Sequence, residues 1–179
     1  MTLSHRGQSL AKHLGQIDRQ LATLESLARD NALCALRVAR ISAWSVGEQI
    51  EHLLRSDRTI LSAVNSLPNE EPHQGSPNLA GRLVLLLGWI PRGKGRAPSA
   101  TQPVDFKPEE LPSGLEDLRR AFAGLAPDID RLANSPATIR HPALGYFSAA
   151  QMLAFAAIHH RHHMKIVDQI RNAAPAASR

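Results

Sequence analysis

Along the chain, Leu10, Leu14, Ile17, Leu21, Leu24 and Leu27 recur at spacings of three and four, so on a helix they draw one apolar stripe. A second stripe of Ile50, Leu53, Leu54, Ile60, Leu61 and Val64 follows Ser45 and Glu48, whose spacing is that of a capping box, and Pro68 sets its end. A third, Leu115, Leu118, Phe122, Leu125, Ile129 and Leu132, follows the pair Ser113 and Glu116, and Pro127 within it predicts a kink or an interruption. A fourth opens at Ser148 with Gln151 three residues on and runs to about Arg171.

Between Pro68 and Pro112 the chain is rich in Pro and Gly, which leaves room for one helix over about Leu79 to Trp89. Its later part, with prolines at 91, 98, 103 and 108, is expected to run extended over the surface, because each proline disfavours helix at the residue before it. Four amphipathic helices, short turns and one long connection predict an all-α fold. The expected architecture is a four-helix bundle with an accessory helix in the Pro/Gly-rich connection, one domain over residues 1–179. Aromatic residues are scarce and runs of β-branched residues are missing, so no strand is expected.

Composition narrows the function classes. Cys34 is the only cysteine, which excludes an intramolecular disulfide framework, and its expected role is that of a small packing residue. With no leader-like segment at the N-terminus, cytoplasmic residence is the expectation. The most apolar stretch, Leu83 to Ile90, is far shorter than the roughly 20 residues a bilayer span needs, so no membrane span is expected. The net charge of +5 would suit an acidic partner, but basic residues are scattered among acidic ones. The one dense patch, Arg92 to Arg96, has no stacking aromatics interleaved, so nucleic acid is not an expected partner.

Chemistry concentrates on the fourth helix. His159 and His163 lie about 40° apart in helical projection, on the face that also carries Met152, Phe155, Ile166 and Ile170. Two imidazoles on an apolar stripe need partners, and one divalent cation at this spacing serves both. Two hydrogen-bonded core histidines, or a solvated patch with His160 and His162, are the alternatives. His160 and His162 point elsewhere and are read as surface groups or as supports for the ligands. A third ligand would come from His5, His13, His52, His73, His141 or a carboxylate. His52 alone lies inside a strongly predicted bundle helix, but it projects away from that helix's apolar stripe, near Glu48, Ser56 and Thr59, and by itself reads as a surface residue.

The segment Trp44-Ser45-Val46-Gly47-Glu48-Gln49-Ile50-Glu51-His52-Leu53 resembles the opening of the second helix in the DinB/YfiT-like superfamily, and the stretch from His141 to Ile170 resembles its closing helix. The resemblance covers nearly the whole chain. It implies that His52, His159 and His163 form a three-histidine site for a divalent metal ion, of which Zn, Ni, Fe or Cu would all suit imidazole. Three imidazoles leave coordination positions open, as catalytic sites do. The resemblance further implies a metal-dependent thiol transferase or hydrolase acting on a small electrophile, with a low-molecular-weight thiol as cosubstrate, and also admits a non-catalytic, stress-related or partner-binding bundle.

The remaining candidates are weaker. Glu48 is expected to cap its helix rather than serve as a base, and Trp44 and Trp89 are expected in the core rather than around a pocket. The loop from Arg92 to Arg96 is expected to be solvated, although its guanidinium forks would suit carboxylates. It lacks the pattern of a nucleotide phosphate cradle. A bundle with wide apolar faces also admits a homodimer.

Overall fold

A computed structural model describes residues 3–67, 75–93, 97–104 and 106–174. Seven α-helices occur among them: α1 (His5–Ala28), α2 (Asn31–Ala35), α3 (Val46–Ser66), α4 (Leu79–Leu87), α5 (Leu111–Ala123), α6 (Ile129–Ala133) and α7 (Ala149–Ala173). The long helices α1, α3, α5 and α7 make a four-helix bundle, in which α1 packs on α5 and α7 while α3 packs on α7 and α5. Its core joins Leu10, Ile17, Leu21 and Leu24 of α1 to Ile50, Leu53, Ile60 and Val64 of α3, Leu115 and Phe122 of α5, and Leu153 and Ile170 of α7. All of these but Leu153 belong to the four sequence stripes.

Two of the three expected capping boxes form. Ser45 Oγ accepts from the Glu48 N–H at 3.2 Å while the Glu48 carboxylate accepts from the Ser45 N–H at 2.6 Å, and Ser148 and Gln151 make the same reciprocal pair at the start of α7. The third does not form, because α5 starts earlier. A 3-10 turn, Pro108–Glu110, runs directly into it, and Pro112 sits in the first turn, where a missing N–H costs nothing. Ser113 is therefore already inside the helix, with its hydroxyl returned to the Glu110 carbonyl at 3.1 Å. Downstream, the interruption expected at Pro127 is present: α5 ends at Ala123, a 3-10 turn covers Ala126–Asp128, and α6 follows.

The expectation of no strand is corrected by a small antiparallel hairpin, β1 (Ile139–His141) with β2 (Gly145–Phe147), in the register Ile139 to Phe147. Strands of three residues are too short to show an alternating pattern. Gly145 has φ +88°, and a Cβ there would collide with the backbone of residues 76–78, so glycine lets the hairpin lie against that segment. The accessory helix α4 ends at Leu87, earlier than expected, because Gly88 takes the left-handed conformation and closes it. It leaves Leu79, Leu83, Leu86 and Leu87 exposed.

The later part of the connection is not simply extended. The segment 97–104 contains a 3-10 turn, Ser99–Thr101, that lies against α3. Phe106 packs over Gly47, where any side chain would collide with its ring. Cys34 is buried as expected, and burial raises its thiol pKa. No described helix is long and apolar enough to cross a membrane. His73, residues 94–96 of the basic loop and residues 175–179 of the Ala-rich tail lie outside the described residues.

Candidate metal centre

His52, His159 and His163 converge between α3 and α7, with one ligand-type atom from each within 4.8 Å of the others. His159 Nε2 lies 3.2 Å from His52 Nε2 and 3.0 Å from His163 Nε2. The sequence position of His52 had suggested solvent, but its exposure is 5%. The cause is the connection: the Ser99–Thr101 turn covers that side of α3, and His52 Nδ1–H donates to the Thr101 carbonyl at 2.7 Å. A carbonyl only accepts, so this bond fixes the tautomer and leaves His52 Nε2 with a bare lone pair.

His163 is held in a similar way. Its Nδ1 lies 2.5 Å from Gln49 Oε1, and Gln49 Nε2 donates to Ser42 Oγ at 2.8 Å. In that amide orientation the proton is on Nδ1, and Nε2 faces the other imidazoles as a lone pair. His159 completes the set from one turn earlier on α7. Its Nδ1 is buried without a hydrogen-bond partner among the described residues.

The walls are aromatic. The Trp44 ring lies 5.1 Å from that of His52, and Phe155 stacks on His159 with ring centroids 5.6 Å apart and 13° between planes. Burial holds the pKa of His159 and His163 well below the ordinary histidine value, and the neighbouring imidazoles push in the same direction. For His52 burial lowers the pKa, partly opposed by the bond to Thr101 and by Asp57. The three rings are thus held neutral, the form that ligates metals.

These contacts fit a divalent cation. Two imidazole lone pairs facing each other at 3.0 Å or 3.2 Å repel unless a proton or a cation lies between them. Metal–nitrogen bonds of about 2.0–2.1 Å place neighbouring ligand atoms about 2.8–3.0 Å apart in octahedral and about 3.3–3.4 Å apart in tetrahedral geometry, which brackets these separations. The cluster is therefore capable of coordinating a metal ion. Among the described residues no other group of His, Cys, Asp or Glu has this arrangement.

Other candidates fall elsewhere. His5 is exposed at the start of α1, and His13 is half-buried with Nδ1 unpartnered. His141 packs on Phe155 at 4.7 Å between ring centroids without joining the cluster. His160, read as a surface or supporting group, is fully buried, and its Nε2 meets Asp57 Oδ2 at 2.5 Å across the α3–α7 interface. His162 is half-buried, its ring 5.0 Å from that of His163. Glu48 is a cap, as expected, and also pairs with Arg37.

Neither tryptophan is in the core: Trp44 is half-buried against His52, and Trp89 is 49% exposed. Gln49, Thr101 and Asp57 were not foreseen as partners of histidines. A carbonyl such as that of Thr101 leaves no trace in side-chain identity, but Gln49 stands three residues before His52, a spacing that places them on neighbouring faces of one helix.

No curated protein and no solved structure matches the chain. Residues 16–167, from within α1 to within α7, match the DinB superfamily. That span contains all three clustered imidazoles, the whole of α3 and α7 as far as Val167, and the chain belongs to the DinB superfamily.

Proposed function

We propose that this chain acts as one DinB-like domain that binds a divalent metal ion through Nε2 of His52, His159 and His163, and uses it as a metal-dependent thiol transferase or hydrolase on a small electrophile. The observation that carries the reading is the convergence of three Nε2 atoms, two of them with Nδ1 engaged by Thr101 and Gln49, which aims both lone pairs inward. Such supports behind metal-binding histidines fix ring orientation and tautomer. A divalent ion held by three imidazoles keeps positions open and supplies a Lewis acid that makes a thiol or water nucleophilic near neutral pH.

The protein's own groups supply placement. Trp44 and Phe155 limit access of water to the imidazoles from two sides, and α3 and α7 hold the ligands through the buried Asp57–His160 contact close by. The reading places the protein in the cytoplasm and leaves a low-molecular-weight thiol as the candidate cosubstrate. The test is elemental mass spectrometry on untagged wild type, His52→Ala and His163→Ala. Near-stoichiometric metal in the wild type and loss from both variants is the expected result. Equal emptiness in all three after metal is supplied overturns it.

A further inference from the structure

A second cleft opens on the other flank of α7. Arg161 and His162 stand three and four residues after Ile158, and four and three before Lys165, so the four share a face that is not the face of His159 and His163. Across from them runs the turn that leaves α4, where left-handed Gly88 redirects the chain and its carbonyl accepts from Arg161 Nη2 at 3.3 Å. Between helix and turn lies a cavity of about 310 Å³, lined also by Trp89 and Arg92. That volume is within the range of small-ligand sites.

The lining is chemically divided. Ile158 is buried at the base and Trp89 stands half-exposed at the side, giving an apolar body and a flat ring face. Arg92, Arg161 and Lys165 bring three cations to the same space, and among the described residues none of them pairs with a carboxylate. Arg6, Lys12, Arg19, Arg40, Arg58, Arg82 and Arg140 likewise have no carboxylate partner among the described residues, so what sets Arg92, Arg161 and Lys165 apart is that all three line one cavity. Arg161 and Lys165 are one turn apart on α7, a spacing at which like charges repel. An anion in the cleft relieves that repulsion.

We propose that this cleft is a binding site for a small organic anion with a flat apolar body, its carboxylate or comparable group held by Arg92, Arg161 and Lys165 and its body packed on Trp89 and Ile158. Guanidinium forks match carboxylates in geometry, and an indole face gives area at little cost in ordering. Its lining includes none of the three clustered imidazoles.

The test uses full-length protein stripped of metal by a chelator, with naphthalene-2-carboxylate as probe and neutral naphthalene-2-carboxamide as its control. Binding is followed by NMR at the indole N–H groups of Trp89 and Trp44. The carboxylate is expected to shift the Trp89 signal saturably and to bind at least about tenfold more tightly than the carboxamide. The Arg92→Gln/Lys165→Gln variant, altered only at exposed positions, is expected to bind at least about tenfold more weakly, and His52→Ala as well as wild type. Equal binding of the two probes, unchanged binding by the double variant, a shift confined to Trp44, or no shift up to about 10 mM probe overturns the proposal.

Discussion

Gln49 has no metal-binding chemistry of its own, yet it decides which nitrogen of His163 faces the cluster. Its carbonyl oxygen accepts a hydrogen bond from Nδ1–H at 2.5 Å, and its amide nitrogen donates to Ser42 Oγ. Loss of such a support weakens metal affinity by about 10–100-fold in known sites. Gln49→Ala is therefore expected to lower affinity by that order while leaving all three imidazoles in place, and competition with a chromogenic chelator measures it. An unchanged affinity would mean that His163 needs no outer partner. At this scale the sequence was only partly legible. His159 and His163 could be paired from their spacing on one helix, whereas the burial of His52 depends on a backbone carbonyl 49 residues away, which no side-chain pattern records.

The helices show where local signals suffice. Ser45 and Ser148 cap as their sequence context predicts, since a capping box is complete within four residues. Ser113 has the same local context but loses its role to the turn in front of it, Pro108–Glu110, which starts the helix first. Thermal unfolding of two variants separates these cases. Ser148→Ala is expected to cost about 1 kcal/mol, while exposed Ser113→Ala should stay within about 0.5 kcal/mol. The hairpin and the 3-10 turns were invisible because each is shorter than the period that would reveal it.

Between elements, Asp57 and His160 form a contact with both side chains fully buried, joining α3 to α7 beside the imidazole cluster. Removing one partner strands the other in the core. Asp57→Ala is thus expected to destabilise the protein by about 3 kcal/mol in urea unfolding. A loss below about 1 kcal/mol would show that the contact does not brace the two helices.

For the molecule as a whole, the buried imidazoles make stability depend on pH. The pKa of His159 and of His163 is held well below the ordinary 6.5 by burial first and by surrounding histidines second. Below pH 6.5 the unfolded chain takes up protons at these positions before the folded chain does, so it binds more protons. Stability then rises with pH across this window and is lost as pH falls through it. The metal-free protein is expected to show a lower urea midpoint at about pH 5.5 than at about pH 7.5, and His159→Leu a smaller difference. An equal difference would assign the pH dependence to other histidines, such as His13 and His141, whose pKa burial also lowers from 6.5.

The hydrogen bond from His52 to Thr101 ties the bundle to a segment that crosses it from outside. Whatever secures that imidazole also secures the strap over it, and thermodynamic linkage makes the relation mutual. If the cluster takes up a cation, the cation protects the 97–104 segment from digestion. Reversible opening of that segment would in turn loosen the cation by the same factor, so the rate of cutting by a protease could report how fully the site is loaded.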